Sequence, residues 1–187
     1  MPDLPLPPNP RRPSIFAIRR GIVVGLVTLA LALTVAGVAS FPSIGSCAPA
    51  QLHGRVVAIA DGDTLTLLTG TLQTKVRLWG IDCPEKRQAF GQVAKTALSN
   101  LTFGKDVAVE SRGTDRYGRT LGWIVSNGQV VNLELVKTGM AWWYKQYAPK
   151  ATDLAAAEQK ARAAKVGLWA DPDPIPPWEF RHNKRGR

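Results

Sequence analysis

The hydrophobic pattern of the chain changes character along its length. Residues 21–41 (GIVVGLVTLALALTVAGVASF) carry no charged side chain, and about 20 such residues cross a bilayer as a helix. From residue 51 the apolar runs shorten. Residues 51–60 (QLHGRVVAIA) are rich in β-branched side chains and read as a strand, Asp61-Gly62-Asp63 as a turn, and 65–68 as a second strand. Thr69-Gly70-Thr71 is a second turn. Over 76–79 the pattern alternates, with Val76 and Leu78 on one face and Lys75, Arg77 and Trp79 on the other. The period then lengthens. Val93, Ala97, Leu98 and Leu101 predict a helix over 91–101. Strands follow at 107–110 and 121–125, the second closed by Asn127-Gly128. Helices are predicted over 130–138, ending at Gly139, and over 151–165, ending at Gly167, with Leu168-Trp169 packing back.

Five strands with a helix between the third and fourth match the small Greek-key barrel called an OB-fold. The predicted class is therefore mainly β with helices (α+β): a five-stranded OB-fold barrel with three α-helices, preceded by an N-terminal apolar signal or anchor helix. The expected organisation is a disordered, basic, Pro-rich stretch (1–20), the apolar segment (21–41), a linker (42–50), the barrel domain (51–170) and a Pro-rich basic tail (171–187). Trp178 and Phe180 could pin that tail to the domain.

Arg11, Arg12, Arg19 and Arg20 precede the apolar segment, which orients the N-terminus to the cytoplasm and exports the rest. Two readings stand: a cleaved signal peptide, for which Val38-Ala39-Ser40 offers small residues, or an uncleaved anchor, favoured by the length of the run. Arg19-Arg20 loosely resembles a twin-arginine signal, and Ile44-Gly45-Ser46-Cys47 a lipobox. The product is expected in the periplasm, secreted, or held to the membrane by residues 21–41.

Charge sharpens this picture. The 187 residues hold 24 Lys and Arg against 14 Asp and Glu, a net charge of +10. Beyond residue 50 there remain 20 basic and 13 acidic residues, a net charge of +7, so the basic character belongs to the exported domain. It suits a polyanionic partner, nucleic acid or anionic lipid. With two His and two Cys, a zinc cage would consume every such residue. H-E-x-x-H, C-x-x-C and the P-loop pattern are all absent. Carboxylates, arginines and a hard cation remain.

Four polar clusters fall at turns or strand ends: Asp61-Gly62-Asp63-Thr64; Arg77 with Asp82-Cys83-Pro84-Glu85; Asp115-Arg116-Tyr117-Gly118-Arg119; and Tyr144 with Tyr147. Asp63 and Asp82 follow different strands of one meander and can converge as oxygen ligands for Ca²⁺ or Mg²⁺. Alone, the first cluster reads more readily as an ordinary Asx turn. Arg77 and Arg119 can clamp one phosphodiester through paired hydrogen bonds, although a lone arginine is more often in a surface ion pair. Glu85 can deprotonate water beside a bound phosphate, or be a solvated loop residue.

Their joint order is more specific. D-G-D-T, R-L-x-G-I-D-x-P-E, D-R-Y-G-R, V-N-x-x-L-V-x-x-G-x-A and A-R-x-x-x-x-G-L-W, between residues 54 and 169, resemble the staphylococcal-nuclease (thermonuclease) family. That resemblance implies a Ca²⁺-dependent nuclease, monomeric, cleaving DNA and RNA and leaving 3′-phosphate ends. It implies one Ca²⁺ held by Asp63 and Asp82 and by the backbone carbonyl of Cys83, where a Thr is common. It implies Arg77 and Arg119 as phosphate ligands and Glu85 as general base. Arg116, Tyr117, Tyr144 and Tyr147 would bind the nucleotide, and Asp61 and Asp115 would support these residues from behind. The thiol of Cys83 could pair with Cys47 or stay free. Of Trp142-Trp143, one is expected in the core and the other to extend the stacking platform. The loop after Glu85 (KRQAFG) is too short for a long lid. Two other readings are open: an OB-fold that binds nucleic acid without cleaving it, and a membrane-surface protein meeting anionic lipid. The C-terminal Arg181, Lys184, Arg185 and Arg187 would then hold a polyanion or simply be solvated.

Overall fold

The computed structural model describes residues 50–185. The readings made for residues 1–49, including the apolar segment and Cys47, lie outside the described residues. Strands β1 (Gln51–Asp61), β2 (Thr64–Thr69) and β3 (Leu72–Leu78) form an antiparallel meander. A two-residue strand β4 (Ile81–Asp82) precedes helix α1 (Gly91–Thr102). Strands β5 (Asp106–Thr114) and β6 (Thr120–Ser126) follow, then a short β7 (Gln129–Val130), helix α2 (Val131–Lys137) and a two-residue β8 (Trp142–Trp143). Helix α3 (Thr152–Ala163), a 3₁₀ turn (Gly167–Ala170) and helix α4 (Pro177–Arg185) complete the described chain.

The sheet runs β3-β2-β1-β5-β6, and β3 pairs with β6 in parallel, which closes the five-stranded OB-fold barrel. Closure needs a residue without a side chain at position 122, opposite Leu78. A Cβ on Gly122 would lie 2.6 Å from Val109 and 2.7 Å from Val76. Alternation along β2, β3 and β6 sends Leu65, Leu67, Val76, Leu78 and Ile124 inward. The Asn132 of the V-N-x-x-L run fastens the seam: its Oδ1 accepts the Ile124 N–H at 3.0 Å, and its Nδ2 donates to the carbonyls of Trp79 (2.9 Å) and Gly122 (3.1 Å).

Three local readings change. Val93 is 50% exposed, and α1 instead buries Gly91, Ala94, Leu98 and Thr102. The reason is close packing: a Cβ on Gly62 would sit 2.8 Å from that of Ala94, so the contact favours small side chains over large apolar ones. Helix α3 ends at Ala163, with Lys165 taking the left-handed conformation. Gly167 serves a backbone crossing, where a Cβ would meet the Gly139 carbonyl at 2.4 Å. Finally, residues 177–185, read as tail, form a fourth helix. It begins at a proline, whose fixed φ suits a first helical position.

Candidate active site

One wall of the site is built on β1–β4. The Asp61 carboxylate accepts the Asp63 N–H at 3.2 Å, which is the Asx turn, and that turn delivers Asp63 into the interior at 3% exposure. Asp63 Oδ2 accepts the Cys83 N–H at 3.0 Å, and Oδ1 accepts the Thr64 hydroxyl at 3.0 Å. Arg77, paired with Thr64 across β2–β3, reaches over both acids. Its Nη1 donates to Asp63 Oδ1, and its Nη2 donates to Asp82 Oδ1 at 2.7 Å. Asp82 is nearly inaccessible at 1% exposure. The Cys83 thiol is buried and donates to the Gly62 carbonyl at 3.1 Å.

Electrostatics follow from this burial. Burial disfavours ionisation of Asp63, but the Arg77 charge and the Cys83 N–H outweigh it and hold the carboxyl below its ordinary value. Asp61 lacks a cationic partner, and burial with the neighbouring Asp63 charge pushes it up to about 6. Burial raises the Asp82 carboxyl against the pull of Arg181 and Arg77. Burial and the nearby carboxylates push the Cys83 thiol well up, which keeps it protonated and unsuited to nucleophilic attack.

The opposite wall is the loop between β5 and β6. Asp115 organises it. Its Oδ1 accepts the N–H groups of Tyr117 (2.9 Å) and Arg119 (3.0 Å), and its Oδ2 accepts Arg119 Nε and Nη2, both at 2.7 Å. Burial raises the Asp115 carboxyl, but these bonds and the Arg119 charge together outweigh it and hold the group below its ordinary value. Arg116 stacks over the Tyr117 ring at 4.9 Å, and the ring itself is exposed.

Antiparallel pairing of Ile81–Asp82 with Trp142–Trp143 brings the tyrosine segment beside the acids, and the Tyr144 N–H donates to the Gly80 carbonyl at 2.9 Å. Tyr144 and Tyr147 have ring centroids 4.6 Å apart. Trp142-Trp143 contributes to the core alone. Trp142 is buried against Trp169, and Trp143 packs on the main core with its indole N–H donating to the Ala148 carbonyl at 3.0 Å. Neither lines the cleft.

A single cleft of about 670 Å³ is lined by Asp61, Asp63, Arg77, Asp82, Cys83, Glu85, Asp115, Arg116, Tyr117, Arg119, Tyr144 and Tyr147. The structure thus gathers every site residue expected from sequence. It also adds Arg181 of α4, which pairs with Asp82 and Glu85. The available signal was Pro177 followed by Trp178 and Arg181 at helical spacing. Among the described residues no three His, Cys, Asp or Glu side chains gather as a metal cage. What the chain offers is two buried carboxylates, Asp63 and Asp82, already sharing one cationic partner. Such an oxygen-only pair fits a hard cation completed by backbone carbonyl and water.

The chain matches the family described as "Staphylococcal nuclease homologue" over residues 75–171. It belongs to that family. A Haemophilus influenzae protein named "Uncharacterized endonuclease" is 48% identical over 146 residues, covering 78% of this chain and 82% of its own. "Protein ParB" of Escherichia coli is 42% identical over 154 residues, covering 77% of this chain and 87% of its own. "Micrococcal nuclease" of Shigella flexneri is 41% identical over 142 residues, covering 71% and 82%.

Proposed function

We propose that this family member is a Ca²⁺-dependent nuclease that hydrolyses phosphodiester bonds of DNA and RNA with little sequence preference, leaving 3′-phosphate ends. The observation that carries the reading is the gathering of Asp63, Asp82, Arg77, Glu85 and Arg119 around one cleft. Membership of a family with relatives named as nucleases supports it.

A Ca²⁺ held by Asp63, Asp82 and the Cys83 carbonyl would neutralise charge that builds on the phosphate in the transition state. Arg77 balances the two buried acids in the free protein, and on substrate binding it turns its donors to the phosphate. Arg119, held in place by Asp115, donates from the opposite wall as a fixed charge that meets the developing one without itself reorganising. Glu85 accepts a proton from the attacking water as its oxygen bonds to phosphorus, the P–O5′ bond breaks, and the departing 5′-oxygen takes a proton from solvent. Tyr117, Tyr144 and Tyr147 present aromatic faces on which any base stacks, at about 1–3 kcal/mol per base, with Arg116 carrying charge for the backbone. The export segment read over residues 21–41 would place this chemistry outside the cytoplasm, with the protein as a monomer.

The test is cleavage of single-stranded DNA and of RNA by the full chain, with Ca²⁺ and with EGTA. Cleavage of both substrates with Ca²⁺, abolished by EGTA, is the expected result. Undiminished cleavage in EGTA would remove calcium from the mechanism, and binding without cleavage in Ca²⁺ would leave a nucleic-acid-binding barrel.

A further inference from the structure

Arg181 lies 99 residues beyond Asp82 in the chain, yet its guanidinium spans two acids with different proposed tasks. Its Nη2 donates to Asp82 Oδ2 at 2.7 Å, and its Nη1 donates to Glu85 Oε1 at 2.8 Å and to Asp82 Oδ1 at 3.3 Å. Glu85 needs such a partner. Its side chain is 40% exposed on a short loop, and Arg181 supplies the one hydrogen bond to its carboxylate among the described residues. Left alone, that carboxylate would spread over several rotamers. The same segment also steadies the Glu85 backbone. Gln88 Oε1 accepts the Glu85 N–H at 3.1 Å, while Gln88 Nε2 donates to the carbonyl of Ile175, just ahead of α4.

The helix is itself anchored. Pro177 is buried. Trp178 lies nearly parallel to Tyr144, at 5.2 Å and 6°, and edge-on to Trp142 at 5.5 Å. Trp178 and Arg181 stand three residues apart, on one face of the helix, so docking of the indole aims the guanidinium at the acids. With so short a loop after Glu85, the base is held from the C-terminal end of the chain.

We infer that Arg181 is a positioning residue, which fixes the Glu85 carboxylate in register with Asp82 for attack on the phosphodiester; this rests on the nuclease reading above. A planar fork can bridge two carboxylates as a compact ammonium cannot, and a displacement of about 1 Å at a reacting group can cost about 10²-fold.

The experiment compares the full chain with Arg181→Ala, Arg181→Gln and Arg181→Lys, through kcat and KM on single-stranded DNA and through Ca²⁺ binding by calorimetry. Arg181→Ala and Arg181→Gln should lower kcat about 10- to 100-fold with KM little changed and Ca²⁺ affinity no weaker. Arg181→Lys should recover part of the loss. Arg181→Gln keeps bulk at the site and carries the same expectations if the alanine variant fails to fold. A kcat equal to the wild type's would overturn the inference, and a higher one would show that α4 plugs the cleft. A rise in KM alone would make Arg181 a substrate contact, and weakened Ca²⁺ binding would make it a support for the cation site; either overturns the positioning role. If the wild-type chain cleaves no nucleic acid, the nuclease reading itself fails. An active wild type with equally active variants removes only Arg181.

Discussion

The two charged walls of the cleft are held by different means. Arg77 meets Asp63 and Asp82 across strands and a connecting turn, and both acids are buried. Arg119 meets Asp115 within a single five-residue loop, and both side chains retain some solvent contact. On the loop, backbone N–H groups share the work of satisfying Asp115. On the buried wall two guanidiniums supply the counter-charge, Arg77 to Asp63 and Asp82 and Arg181 to Asp82, while the Cys83 N–H adds to Asp63. An ion pair in solvent contributes little to stability, whereas a buried pair broken on one side leaves an uncompensated charge. The two arginines can therefore serve one reaction while carrying very different structural weight.

The sharpest way to break this contrast is Arg77→Ala. Urea unfolding in the presence of a chelator should show a loss of about 3 kcal/mol, together with a collapse of nuclease activity. Unchanged stability would mean that Asp63 and Asp82 do not depend on Arg77. Arg119→Ala should cost about 10²–10³ in kcat while altering stability by less than about 1 kcal/mol. A large stability loss in that variant would place both walls in one class.

A smaller effect tests the acid left without a cation. Asp61 rises from 3.8 to about 6 in the folded chain, so the folded state binds its proton more tightly than the unfolded state does. The stabilising contribution of this group is complete below about pH 4 and is lost as the pH climbs through about 6. Without divalent cation, Asp61→Asn should gain stability relative to wild type over that window. Parallel profiles for the two proteins would show that Asp61 titrates normally.

Much of the loop wall is legible in D-R-Y-G-R, because its hydrogen bonds close within five residues and depend on local turn geometry. The Asx turn at Asp61-Gly62-Asp63 is legible for the same reason. Helix α1 shows where periodicity stops: hydropathy points to Val93, while the packed face uses Ala94 and Thr102 because the barrel approaches closely there. Helix α4 shows it again. Its composition is that of a solvated tail, and only docking on Trp142 and Tyr144 makes it part of the site.

The amino-acid sequence by itself determined the order of strands and turns, the residue types that could carry oxygen-ligand and phosphate chemistry, and their membership of one family pattern. Tertiary structure decided which acid each arginine serves. Arg77 takes Asp63 and Asp82 because barrel pairing sets β3 beside the Asx turn, and Arg181 reaches Glu85 because the C-terminal helix docks across the cleft. Local hydrogen bonds are fixed by chain spacing over a few residues, whereas contacts made 14 or 99 residues apart exist only after a core has formed to hold both partners.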